Sequence, residues 1–143
     1  EYTDKDGKKK TPVVIHRVIY GSLERFIGIL IEHYAGTFPL WLSPVQIKVI
    51  PISEDKHLNY AKEIFEALKE NNIRVKLDES NESLSKKIRN AKMEKIPYLV
   101  IIGDKEKESK KLTVEGRNNE KIENISVLEF VAKLKKEIKE KKS

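Results

Sequence analysis

From Val45 onward the apolar positions change period in a regular order, and each change marks a new element. Val45, Ile47 and Val49 alternate with polar neighbours, the period-two signature of a strand, here ending near Ile52. Leu58, Ala61, Ile64, Phe65 and Leu68 then form one helical stripe, opened by Ser53 or Asp55 as N-cap. Asn71-Asn72 supplies a left-handed stop, and Ile73–Leu77 is a short strand. A polar loop, 78–83, leads into a cationic helix with Leu84, Ile88 and Ala91 inward. Pro97–Ile102 is a continuous apolar run of the kind buried on both faces of a sheet. Gly103-Asp104 is expected to turn into a charged hairpin that returns through Leu112–Gly116. The last helix opens on a capping box, Ser126 to Glu129, and buries Val127, Phe130, Val131, Leu134 and Ile138. Its lysine-rich end (KLKKEIKEKKS) is expected to fray.

The order is therefore β-α-β-α-β-β-α. Strands joined by helices lie parallel with right-handed crossovers, and the last pair is antiparallel. A mixed, mostly parallel α/β sheet with helices on its faces follows. Ligands of such sheets meet the carboxyl ends of the strands, here the loops at 53–56, 78–83 and 103–106.

The first 44 residues are patterned differently. Tyr2-Thr3, a turn at Asp6-Gly7 and the β-rich run Pro12–Tyr20 predict a hairpin. Gly21 breaks the run, and Ser22 caps a helix to about Tyr34. Leu23, Phe26, Ile27, Ile29, Leu30, Ile31 and Tyr34 cover most of that helix, a pattern that belongs inside a larger body. The remaining chain is too small to enclose it and also build its own core. Ala35–Pro44 reads as a linker that packs, and the opening without Met suggests a piece of a longer chain.

Charged residues make up 36% of the chain, with a net charge of +6 and a pI near 9.3. That balance suits a polyanionic partner, although a solvated lysine-rich surface gives the same numbers. Disulfides and thiolate metal sites are excluded, because there is no cysteine. No apolar run approaches the ~18 residues of a membrane span, and there is no signal-peptide layout. A cytoplasmic location is the expectation.

Two segments carry a family resemblance. Residues 12–46, PVVIHRVIYGSLERFIGILIEHYAGTFPLWLSPVQ, resemble the third signature motif of class II aminoacyl-tRNA synthetases in its threonyl version. IPYLVIIGDKE at 96–106, with IRVKLD at 73–78, resembles the anticodon-binding domain shared by the threonyl, prolyl, glycyl and histidyl enzymes. The resemblance implies a five-stranded, mixed and mostly parallel sheet flanked by three helices, preceded by a strand-helix remnant of a catalytic domain. It divides the chain into 1–40, the end of that catalytic domain, and 41–143, the anticodon-binding domain. It implies a homodimeric parent enzyme that activates threonine with ATP and charges tRNA(Thr), and a fragment that binds the anticodon arm without catalysing either step.

The site residues follow from the same resemblance. Arg25, whose planar guanidinium can stack on adenine and fork onto phosphate, is implied to hold ATP, with Ser22 beside it. On spacing alone, Arg25 reads rather as a surface arginine paired with Glu24 or Glu32, and it is the motif that reverses this. His16 is implied to be one of three zinc ligands in the parent, its partners lying outside this chain; by itself it reads as a structural histidine. His33 and His57 read as ordinary helix residues. Asn81 and Glu106 match positions that read anticodon bases, the kind of side chains that can hydrogen-bond unstacked base edges. Where the pattern has a further Arg, this chain has Glu115, with Arg117 two residues on and expected on the same strand face. Lys86, Lys87 and Arg89 suit tRNA backbone or a solvated helix face. Other readings of the fold are a small-ligand α/β module, which the absence of a Gly-rich phosphate loop after the first long strand opposes, and an accessory RNA-binding protein.

Overall fold

The computed structural model describes residues 1–118 and 120–141. Five strands form one sheet in the order β4-β3-β5-β6-β7: β3 (Ile47–Pro51), β4 (Val75–Leu77), β5 (Tyr98–Ile102), β6 (Leu112–Gly116) and β7 (Lys121–Ile125). β3 pairs parallel with β4 and β5, whereas β6 is antiparallel to both β5 and β7. The mixed five-stranded α/β sheet is as expected. β7 went unread in the sequence, because KIENI has only two apolar residues.

Alternation along the strands sorts the core onto two faces. Ile47, Val49, Val100, Ile102, Leu112 and Val114 face α2 (Glu54–Glu70) and α5 (Val127–Glu140), which bury Ala61, Ile64, Leu68, Phe130, Val131 and Leu134 against them. Apart from Ala61, each such side chain contributes roughly 1.5–3 kcal/mol of burial. The other face is covered by α3 (Leu84–Met93), which packs Ala91 on Ile50, Leu99 and Ile96. α2 and α3 lie on opposite faces because the crossover from β3 to β4 runs one way along the sheet and that from β4 to β5 runs back.

Caps follow the sequence closely. Ser126 and Glu129 form the capping box of α5. Ser53 is the N-cap of α2, and Asn72 takes the left-handed conformation after it. α5 does not fray as expected: its helix continues through Glu140, and the last two residues lie outside the described ones. Gly103 opens a short helix, α4 (Asp104–Ser109), where a hairpin turn was expected. The Glu106 carboxylate accepts the Gly103 N–H at 2.9 Å, and this cap makes a helix of the charged DKEKES segment.

The amino-terminal segment departs furthest from expectation. A small hairpin does form, but β1 (Tyr2–Thr3) pairs with β2 (Lys9–Lys10), and Pro12–Tyr20 is not a strand. Val13 and Ile15 are 90% and 85% exposed. A β-prone run with no neighbouring strand has no ladder to join, so its propensity goes unused. α1 (Leu23–His33) follows, with Leu23, Ile27, Ile29 and Ile31 exposed and no residue fully buried.

Candidate nucleic-acid interface

Three loops follow the carboxyl ends of β3, β4 and β5, and two of them are stapled together. His57, buried on α2, accepts the Ser53 N–H on Nδ1 at 3.1 Å, which leaves Nε2 to donate to Asp104 at 3.1 Å. That hydrogen bond holds the Asp104 carboxyl below its ordinary range. Gly103 packs so closely here that an added Cβ would lie 2.7 Å from Ile52 Cδ1. The crevice between β3 and β5 is thus filled by protein. Sequence reading took His57 for an ordinary helix residue; its spacing of four from the N-cap Ser53 was the available signal.

Glu106 stands in the first turn of α4, where Oε2 accepts from Gly103 and Oε1 accepts from the Thr113 hydroxyl at 2.6 Å. Each oxygen retains a further lone pair, so a carboxylate fixed in this way can still accept from a ligand. The 78–83 loop is anchored differently. Asp78 accepts from the Ser80 N–H and hydroxyl and pairs with buried Lys48 at 3.2 Å. Burial pushes the Asp78 carboxyl up, but the bonds from Ser80 and Lys48 outweigh it and leave it lowered. Asn81 itself is exposed at the loop tip. Because β4 and β5 flank β3, the loops bearing Asn81 and Glu106 start two strand spacings apart, about 10 Å.

Arg117 lies elsewhere than expected. β6 ends at Gly116, so Arg117 sits in the following turn, not on the strand face. Its fork donates to the Phe38 carbonyl at 3.0 Å and to the Lys95 carbonyl. Together with Arg74, which donates to the carbonyls of Leu40, Trp41 and Ser43, and Gln46, which donates to that of Leu40, it fastens the 35–44 linker to the domain. Glu115 is buried on the α3 face of the sheet and paired with Lys92 at 2.6 Å. Lys87 departs from both expectations: it is 2% exposed, neither a solvated side chain nor one lying open to a phosphate backbone.

The residues of the 12–33 motif stay apart from all of these. Ser22 caps α1, accepting the Arg25 N–H and donating to Glu24 at 2.6 Å. Gly21 before it takes a left-handed φ of +67°, with open space around it. Arg25 is exposed, and among the described residues its guanidinium has no partner, so the pairing with Glu24 or Glu32 does not form. His16 lies on the exposed 12–20 segment, and no cluster of three potential metal ligands exists among the described residues. The described residues do not by themselves make up a zinc site.

Threonine–tRNA ligase of Clostridium botulinum (strain Hall) is 53% identical over 140 residues, 98% of this chain and 22% of that protein. The threonine–tRNA ligase catalytic subunit of Sulfurisphaera tokodaii is 52% identical over 97% of the chain and 26% of its own length. The chain thus spans about a quarter or less of the curated relatives it matches. Among solved structures, the RNA binding domain of threonyl-tRNA synthetase from Cryptosporidium parvum superposes with a TM-score of 0.76 and 32% identity, over 85% of this chain and 30% of that one. Prolyl-tRNA synthetase of the same organism gives 0.69 and 26%, over 81% and 26%. The family model described as "Anticodon binding domain" matches residues 46–137, so the chain belongs to the anticodon-binding-domain family, in the form found in threonine–tRNA ligases.

Proposed function

We propose that this chain binds the anticodon arm of tRNA(Thr) as part of a threonine–tRNA ligase. The parent would be a cytoplasmic homodimer that activates threonine with ATP and carries zinc in its catalytic domain. The observation that carries this reading is a match to such ligases over 98% of the chain, with two anchored polar loops at the end of the sheet. Asn81 and Glu106, on loops about 10 Å apart, suit different nucleotides of one unstacked loop. Arg117, with two of its five N–H donors taken by the Phe38 and Lys95 carbonyls, would join them only through the remaining ones. Residues 1–40 are read as the end of the catalytic domain, with Ser22 and Arg25 serving its ATP site and His16 its zinc. The bare apolar surface of 13–31 supports that division, since it is what a missing neighbour would cover.

Filter binding of tRNA(Thr) against a copy with its anticodon replaced tests the reading. Tighter binding of the first is expected; equal affinities would remove base readout.

A further inference from the structure

Thr113 differs from its neighbours on β6. Leu112 and Val114 point into the core under α2 and α5, so Thr113 points to the opposite face of the sheet, where it is half-buried and in register with Ile101. Packing at such a strand position is served equally well by valine. What distinguishes threonine is its hydroxyl, which donates to Glu106 Oε1 at 2.6 Å, the length of a charge-assisted bond.

The sheet is irregular at this same residue. Leu112 pairs with Ile125 and Val114 with Ile122, so two residues of β7, Glu123 and Asn124, stand opposite Thr113 alone. Asn124 takes a left-handed φ of +60° there. A bulge bends its strand, raises the local twist and re-aims the side chains around it. Here Glu123 comes within 3.8 Å of Lys105 on α4. The first turn of α4 is thus held from three elements: Asp104 by His57, Lys105 by Glu123 and Glu106 by Thr113. Of these contacts only the last is made to an atom that would meet a base.

We propose that Thr113 is a positioning residue for RNA reading, its hydroxyl fixing the Glu106 carboxylate so that both oxygens face one base edge. The proposal rests on the anticodon-binding reading and adds a specificity residue to it. Glu106 Oε2 accepts the Gly103 N–H and Oε1 accepts the Thr113 hydroxyl, and two fixed points set the plane of the group. The lone pair left on each oxygen then has a set direction, whereas with the Gly103 bond alone the group could pivot. A carboxylate held this way offers acceptors only, so it selects a base edge that donates N–H groups and rejects one that presents acceptors. Because it is held before RNA arrives, the complex is spared the entropy of immobilising it.

The test uses the whole chain and two anticodon stem-loop RNAs, one with the threonine anticodon and one with it replaced, in anisotropy titrations. Thr113→Val, which lacks the hydroxyl, should bind the cognate RNA about two- to tenfold more weakly and narrow its advantage over the other. Thr113→Ser restores the hydroxyl and should restore both, a rescue that a purely structural role does not give. Glu106→Gln, which keeps an acceptor for the Gly103 N–H, should lose discrimination, and adding T113V to it should change discrimination no further. An undiminished effect of T113V in that background would mean that Thr113 does not act through Glu106, and would overturn the proposal. Equal losses on both RNAs would mark a structural role and overturn it too. Unchanged discrimination in T113V overturns the inference while the anticodon reading stands, whereas a wild type that fails to discriminate removes both.

Discussion

His57 on α2 and Asp104 in the first turn of α4 are 47 positions apart in the chain and 3.1 Å apart in space. The bond ties the loop after β3 to the loop that carries Glu106, while the other ring nitrogen caps α2 through Ser53. His57→Ala is expected to cost about 1–3 kcal/mol, because the Ser53 N–H loses its acceptor. Urea unfolding measures this, and unchanged stability would mean that water replaces the ring without loss.

Asp78 gives the fold an acid-sensitive latch. Its carboxyl is lowered in the folded state, so its stabilisation is complete above its unfolded value near 4 and is lost as pH falls through the folded one. Asp78→Asn should flatten the acid side of the stability profile. Asp78→Ala should cost about 3 kcal/mol, the low end for a broken buried pair, since Glu94 at 3.5 Å still faces Lys48. Thermal melts between pH 3 and 7 compare the variants.

Asn81 and Glu106 should separate under mutation. Asn81 is exposed and makes no side-chain hydrogen bond among the described residues, so Asn81→Ala should weaken RNA binding by ~1–3 kcal/mol and leave the melting temperature alone. Glu106→Ala should lower both, because the same carboxylate caps α4 and holds Thr113. A melt paired with an RNA titration distinguishes them.

Arg117→Ala should free the linker. Loss of the bonds to Phe38 and Lys95 is expected to cost about 1–3 kcal/mol and to speed amide exchange across 35–44. Discrimination between RNAs should stay unchanged, and a fall in it would make Arg117 a base reader after all.

Where periodicity was strong, the fold was legible. The stripe from Leu58 to Leu68, the run Pro97–Ile102 and the Ser126–Glu129 box all stand where the sequence puts them. The misses have local causes. α4 is made by one cap from Glu106, a tertiary detail of a uniformly charged segment. The run 12–20 has a strand's composition but no strand beside it. Lys87 looked like part of a cationic face, because burial of a lysine depends on which side of α3 meets the sheet. Chemistry at the loops was less legible than fold: Asn81 and Glu106 came from resemblance, and His57, Lys48 and Thr113 hold those loops in place through contacts made only on folding.

The two margins of the sheet have a consequence for how the protein behaves in concentrated solution. β4 offers an open edge only three residues long, and β7 carries Lys121 and Glu123 along the other. Short or charged borders of this kind are poor templates for strand addition by a neighbouring molecule. Any clumping of this chain should therefore begin at the greasy 13–31 stretch and leave the sheet intact, and solubility should rise when that stretch alone is made polar.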